Sequence, residues 1–435
     1  MRRGDTIFAL ASGAGRAGVA LVRVSGPAAR FCVNALTRKP IPAARRAVLR
    51  TVKDAQDRPI DRGLMLWFAA PSSLTGEDVV EFQLHGGRAI VDAVLAALAV
   101  IPGVRPAEAG EFTRRAVENG KFDLTQAEAI ADLVAADTEA QRRQALRQYD
   151  GALASVYDTW REELSKALAW AEAFIDFSDE DLPQDVLADA KLIAATVQHA
   201  MAQHLDARRG EIVRDGLFVA VIGPPNAGKS SLVNALAGRD VAIVSESAGT
   251  TRDVIEVRLD LGGYEVVLAD TAGLREAEGV EGEGVRRALA RAEAADLVLL
   301  LQDGSNIPMK LPENMVNKPL LEVWNKADLP WKKPHPGLHL SLKTGDGLDE
   351  VVAAIAAAAQ KQLEQPSEAP PLTRARHRQA LSEAVAALAR AGTTVAPELF
   401  AEDLRLAVRS LGRLTGRVDV EDLLDTIFRD FCIGK

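Results

Sequence analysis

Residues 223–231 read "GPPNAGKSS" and follow "LFVAVI", a continuous apolar run at 217–222. Such a run predicts a buried parallel strand, and the return of helical spacing after Lys229 predicts a helix. GxxxxGK(S/T) in that setting is a phosphate cradle. Gly223 and Gly228 let backbone N–H groups wrap an anion, Lys229 places a cation on the β and γ oxygens, and Ser230 offers its hydroxyl to Mg²⁺. Asn226, Ala227 and Ser231 complete the loop. Strands and helices alternate onward to about 364, so residues 215–370 are expected to form a doubly wound α/β domain.

Three further stretches stand at predicted strand ends. "DTAG" at 270–273 ends "YEVVLA", which places Asp270 to hold the waters of a magnesium ion, with Thr271, Ala272 and the Gly273 N–H toward a γ-phosphate. "NKAD" at 325–328 follows "LLEVW". The carboxylate of Asp328 can accept from both N1–H and the 2-amino group of guanine, a donor pair that adenine lacks. Asn325 and Lys326 belong to the same segment, and "SLK", Ser341, Leu342 and Lys343, would close over the base edge. In this order the elements resemble the GTPase superfamily, which implies GTP, Mg²⁺, and a switch threonine, Thr251 of "GTTRD", that binds Mg²⁺ beside Ser230. Leu274 stands where Ras-like relatives carry a water-orienting glutamine, so hydrolysis needs another device. Arg252 and Arg275 are nearby, yet nothing in the spacing assigns either one that task.

Upstream, residues 1–120 carry β-rich runs, "TIFALAS", "GVALVRVSG", "LMLWFAA" and "VVEFQLHGG", then a helical "RAIVDAVLAALAV". These imply an α+β domain. From about 121 to 214 the period becomes helical, with Leu153, Val156, Trp160, Leu164, Leu168, Ala171 and Ile175 on one stripe and a second helical stretch at roughly 186–213. After the linker "QPSEAPP" helical spacing returns over 371–435. The two helical segments are expected to pack together as one all-α domain, with the α/β domain inserted.

The 435 residues are enough for about three domains. Their 61 acidic against 52 basic side chains argue against whole-surface binding to nucleic acid or anionic membrane. Apolar runs such as "VVAAIAAAA" are too short to span a bilayer, and the first residues lack the apolar core of a signal peptide. Two cysteines give no disulfide framework, and a cytoplasmic setting is expected. Cys32 reads as a small buried residue. Cys432 sits in the closing "FCIGK", where Gly434 and Lys435 spoil a prenylation box.

"DTIFALASGAGRAGVALVRVSG" at 5–26, "SLTGEDVVEFQLHGG" at 73–87, "GEFTRRAVENGKFDLTQAEAIADL" at 110–133, "PNAGKSSLVNALAGRDVAIVSESAGTTRDV" at 225–254 and "FCIGK" at 431–435 resemble the MnmE (TrmE) family of tRNA-modification GTPases along essentially the whole chain. The resemblance implies a folate-binding-like N-terminal domain, a helical domain and an inserted Ras-like GTPase domain. It implies a homodimer through the N-terminal domains, working with an FAD-containing partner, MnmG (GidA), on the wobble uridine of tRNA, with 5-formyl- or 5,10-methylene-tetrahydrofolate as one-carbon donor and no membrane. By the same resemblance K⁺ falls to Asn226, Ser245, Ser247 and Thr250, where it would replace an arginine finger. The water-positioning role falls to Glu281, across a one-residue gap that leaves Glu283 as an alternative. Pro224 departs from the family, where arginine is more usual. Folate contacts fall to Arg23, Glu81, Lys121 and Lys435, with the tail held in that site and Cys432 near the chemistry. A carboxylate such as Glu81 can accept two hydrogen bonds from a pterin, and basic groups suit the folate tail. His85 reads as structural.

Two other functions compete. A ribosome-assembly GTPase that binds RNA would share every nucleotide motif without needing folate or the terminal cysteine. A folate-dependent aminomethyltransferase could carry a regulatory GTPase. Ammonium and glycine both stand open as nitrogen donor.

Overall fold

The computed structural model describes residues 4–177, 185–206, 208–239, 241–243, 256–270, 293–311, 315, 317–331, 335–363, 370–418, 424, 427–429, 431, 433 and 434. They fall into two compact units, one made of the residues up to Ala131 with those from Gly412 onward, the other of Asp132–Leu411.

The first unit is built on six strands: β1 (Thr6–Leu10), β2 (Ala17–Ser25), β3 (Val48–Lys53), β4 (Pro59–Phe68), β5 (Val79–Gly86) and β6 (Val104–Pro106). They lie in the order β3-β4-β5-β2-β1-β6, antiparallel except for the parallel β1/β6 pair. Alternation with period two sends Val22 and Val24 of β2 and Val80, Phe82 and Leu84 of β5 into one core, which also takes in Val33 and Leu36 of helix Ala29–Thr37 and Val94 and Leu98 of helix Arg88–Ala99. The intervening residues Arg23, Glu81 and Gln83 therefore share the opposite face. Cys32 is fully buried in that core, and burial pushes its thiol up to about 11. The sequence reading passed over β3 and the short β6.

In the second unit β7 (Leu217–Ile222), β8 (Glu256–Leu261), β9 (Tyr264–Asp270), β10 (Leu297–Asp303), β11 (Leu320–Asn325) and β12 (Leu338–His339) lie in the order β12-β11-β10-β7-β9-β8. All neighbours run parallel except β8, an antiparallel edge beside β9. Every residue of β10 is buried, as a strand covered on both faces requires. Helices Lys229–Ala237 and Leu348–Leu363 contribute Leu232, Leu236, Val351 and Ile355 to the core on one face.

Helix Ala152–Asp176 buries Leu153, Tyr157, Trp160, Leu164, Ala167 and Ala171. The expected stripe is therefore turned slightly: Tyr157 and Ala167 point inward, while Val156, Leu168 and Ile175 are half-buried. The stretch expected at 186–213 is two helices, Asp185–Asp206 and Arg209–Asp215. Asp185–Asp206 packs against both Ala152–Asp176 and Ala375–Thr393. Alanines fill much of these contacts, Ala190 and Ala194 on one helix and Ala380, Ala384, Ala387 and Ala391 on another, which lets the backbones approach closely. At one end the rings of Tyr157, Trp160, His204 and His377 meet, with Trp160 and His204 edge to face at 5.4 Å. Burial pushes the His204 imidazole down to about 4, helped by the charges of His377 and Arg378.

Candidate functional site

Parallel strands leave their C-terminal ends on one edge of a sheet, and ligands of such sheets bind there. The loop after β7 wraps back into helix Lys229–Ala237, whose first position is Lys229. Asn226 is held at φ 61 and exposed, and Gly228 caps the helix at φ 102. A Cβ on Gly228 would meet Asn325 Nδ2 at 2.5 Å, and one on Gly223 would meet the Leu301 carbonyl oxygen at 2.1 Å. Glycine at these two positions lets the loop lie against β10 and β11. Lys229 Nζ donates to the carbonyls of Gly223, at 3.0 Å, and Pro224, at 2.9 Å, so the ammonium sits over the loop. Ser230 and Ser231 are exposed at the helix start, whose free N–H groups favour an anion.

Asn325 is the tie between the motifs. Its buried amide donates through Nδ2 to the Ala227 carbonyl, at 2.7 Å, and accepts at Oδ1 from the Leu342 N–H, at 3.2 Å. One side chain thus fixes the phosphate loop to both segments expected to read the base. Asp328 is exposed, and one of its oxygens accepts from Ser341 Oγ at 2.8 Å, which orients the carboxylate. Lys326 adopts φ 68, donates from Nζ to Asp303 Oδ2 at 2.6 Å, and accepts at its carbonyl from Trp331 Nε1 at 3.0 Å. Lys343 is exposed beside them.

Asp303 and Trp331 were missed by the sequence reading. Burial would raise the Asp303 carboxyl, but Lys326, Ser305 and Asn306 outweigh it and hold the group at about 2. The available signal was a carboxylate ending the apolar run "LVLLLQD", as Asp270 ends "YEVVLA". Asp270 closes β9, but its side chain lies outside the described residues, as do Ser245, Ser247, Thr250, Thr251, Arg252, Thr271, Ala272, Gly273, Leu274, Arg275, Glu281 and Glu283.

In the first unit Arg23 and Glu81 are cross-strand neighbours in the β2/β5 register. Their side chains pair at 2.9 Å, and Arg23 also donates to the Gly434 carbonyl at 3.4 Å and sits 5.7 Å from the Phe112 ring centre. The tail is tied down where it is described. Phe431 is buried with Phe428, Leu424 and Leu124; Ile433 bridges to Ala109; Gly434 lies at φ 101, where a Cβ would come within 2.2 Å of the Leu10 carbonyl oxygen. Cys432 and Lys435 lie outside the described residues. Lys121 is held to another segment, its Nζ donating to Pro71 O at 2.9 Å. That segment reaches β2 through Thr75, whose hydroxyl meets Ser25 Oγ at 2.7 Å. His85 is exposed and its Nδ1 lies 3.0 Å from Asp61 Oδ1.

A partly buried ion network in the same unit escaped the sequence reading. Arg115 pairs with Asp5, Glu77 and Glu111, while Arg105 pairs with Asp5 and Glu111. Burial alone would raise the Glu111 carboxyl. Arg105, the Glu108 N–H and Arg115 outweigh it and keep it below the ordinary range, and Asp5 is lowered against its own burial by Arg105 and Arg115.

Among the described residues no helix is long and apolar enough to cross a membrane, and no cluster of His, Cys, Asp and Glu could hold a metal unaided. The family profile described as "GTP-binding protein TrmE N-terminus" matches residues 6–121, and that described as "MnmE helical domain" matches residues 124–432. A protein of Parvibaculum lavamentivorans named tRNA modification GTPase MnmE is 54% identical over 99% of this chain and 100% of its own. Its namesake in Paramagnetospirillum magneticum is also 54% identical, over the same shares. The human mitochondrial protein named 5-taurinomethyluridine-[tRNA] synthase subunit GTPB3 is 49% identical over 99% of this chain and 94% of its own.

Proposed function

The chain belongs to the MnmE family of tRNA modification GTPases, and from that premise we propose that it is a potassium-dependent GTPase that acts with an FAD-containing MnmG partner to add an aminomethyl or carboxymethylaminomethyl group at C5 of the tRNA wobble uridine. The observation that carries the nucleotide half is the Asn325 amide, which joins Ala227 of the phosphate loop to Leu342 beside the base-reading Asp328. Guanine would be read by Asp328 held by Ser341, and the phosphates by Lys229 and the loop N–H groups. Ser230 and Thr251 would hold Mg²⁺. The fit to K⁺ rests on Asn226, an exposed neutral oxygen donor in the phosphate loop, with Ser245, Ser247 and Thr250 as further ligands; these residues would hold the ion, which would supply positive charge toward the phosphates. Glu281, or Glu283 if the alignment gap falls elsewhere, would orient the attacking water.

The one-carbon half is placed on Arg23 and Glu81, with Lys121, Lys435 and the thiol of Cys432, and tetrahydrofolate as donor. The Arg23–Glu81 pair, on the sheet face opposite the main core and beside the Gly434 carbonyl, supports this reading. The work is divided by segment: 1–120 for folate and dimerisation, 121–214 and 371–435 as the helical scaffold, 215–370 for GTP. A cytoplasmic dimer is the acting form.

Wobble-uridine analysis of tRNA from a strain lacking the gene tests the proposal. The modified nucleoside is expected to disappear and to return with the wild-type gene, while the purified protein hydrolyses GTP faster in K⁺ than in Na⁺ at equal ionic strength. Intact modification in the deletion strain would leave the ribosome-assembly reading standing, and equal rates in the two salts would remove the potassium role.

A further inference from the structure

Helix Glu139–Tyr149 begins with a capping box, Thr138 with Gln141. Gln141, Gln144 and Gln148 follow at spacings of three and four, on one face of that helix. Between them they reach both boundaries of the α/β fold. Gln144 Nε2 donates to Gly210 O at 2.8 Å, and Gln141 Nε2 donates to Arg214 O at 3.0 Å, both on the chain leading into β7. Gln148 Oε1 accepts from Thr373 Oγ1 at 3.0 Å, on the chain leading out. The two passages touch: a Cβ on Gly210 would meet Leu372 O at 2.2 Å.

Gln141 does one thing more. Its Nε2 also donates to Glu265 on β9, a buried carboxylate whose other oxygen accepts from Arg258 of β8. The Ala140 N–H donates to Gly263 O in the β8–β9 turn at 3.0 Å. Both hydrogens of the Gln141 amide are therefore used, one on Arg214 and one on the hairpin, and its oxygen accepts from the N–H groups of Asp137 and Thr138. The hairpin itself lies between two nucleotide segments in sequence. β8 follows the stretch with Thr251 and is bonded through Arg258 and Asp260 to Ile243 and Val241, and β9 ends at Asp270.

We propose that the Gln141–Glu265 contact couples nucleotide state to the helical scaffold: a shift of the hairpin that follows the γ-phosphate breaks this contact while Gln141 stays on Arg214. The inference rests on the proposed GTPase and modification activities. A coupling of this kind requires two states that differ in a definite interaction, and the shared amide supplies it.

Glu265→Leu removes the acceptor on the hairpin and leaves Gln141 on Arg214. GTP hydrolysis in K⁺ should stay within about twofold of wild type, while wobble-uridine modification by a complemented deletion strain falls about tenfold or more. The control Arg258→Gln removes the other partner of Glu265 without touching Gln141 and should keep modification within about threefold. Full modification with Glu265→Leu overturns the proposal, and so does an equal loss with Arg258→Gln. Failure of wild-type complementation would instead count against the modification reading. On the wild-type chain, amide hydrogen exchange over 139–149 should differ between GDP and a non-hydrolysable GTP analogue, and identical protection overturns the coupling whatever the variants do.

Discussion

The two proposed sites are assembled in opposite ways. The nucleotide site takes its groups from short consecutive stretches, each at the C-terminal end of a parallel strand, so the order of strands in the sheet does the gathering. The one-carbon site takes Arg23, Glu81 and the Gly434 carbonyl from three remote parts of the chain, and strand register plus a docked tail bring them together. A site of the first kind depends on the individual motif residues. A site of the second kind depends on whatever holds the remote pieces, even glycine and phenylalanine.

The largest effect that would sharpen this contrast is expected from Asp328→Asn. It exchanges one acceptor oxygen for a donor facing guanine, so GTP affinity should fall roughly 100-fold or more while xanthosine triphosphate gains. Competition titration with the two nucleotides decides it, and unchanged GTP affinity would show that Asp328 does not read the base.

A smaller separation is expected from pH. His204 is neutral and buried when folded, with its value at about 4 against 6.5 in the open chain, so the unfolded state takes the proton first. Its share of stability is complete above pH 6.5 and declines by about 3 kcal/mol as pH falls to 4. Asp5 and Glu111 act lower down. Their folded values lie below the ordinary carboxylate range, so their contribution is present above about pH 4 and is lost as pH falls further. Hydrogen-exchange protection between pH 7 and 4.5 should therefore weaken in helices Ala152–Asp176 and Asp185–Asp206 before β1 and β2. Parallel loss in both units would contradict the assignment to His204.

The smallest effect tests the docked tail. Gly434→Val puts a branched side chain at φ 101 against the Leu10 carbonyl, which displaces the segment. Binding of 5-formyl-tetrahydrofolate should weaken about tenfold, with GTP hydrolysis within about twofold of wild type. Equal binding by equilibrium titration would take the tail out of the one-carbon site.

How much was legible follows the same contrast. "LFVAVI", "YEVVLA" and "LLEVW" announced β7, β9 and β11, and "NKAD" starts on the last residue of β11, because strand ends and motifs coincide in sequence. Arg23 and Glu81 could be named only through family resemblance, since a lone charge on a strand carries no record of its cross-strand neighbour. Asp303 went unread because its role depends on Lys326, more than twenty residues away, and the Arg115 network because its carboxylates come from Asp5, Glu77 and Glu111. The stripe on helix Ala152–Asp176 was misjudged by part of a turn because alanines, not leucines, mark the close contacts. Gln141, Gln144 and Gln148 went unread because their partners Arg214, Gly210 and Thr373 lie 73, 66 and 225 residues away.

The docking of Gly434 beside Arg23 also sets a timetable for synthesis. The two residues are 411 positions apart, and at about 5 to 20 residues per second the ribosome makes the second roughly 20 to 80 s after the first. Strands β1 and β2 emerge well before Ile433 and Gly434, and the backbone that receives those two residues waits until they are made. A nascent chain can therefore own a finished phosphate loop while the proposed one-carbon site still lacks its tail.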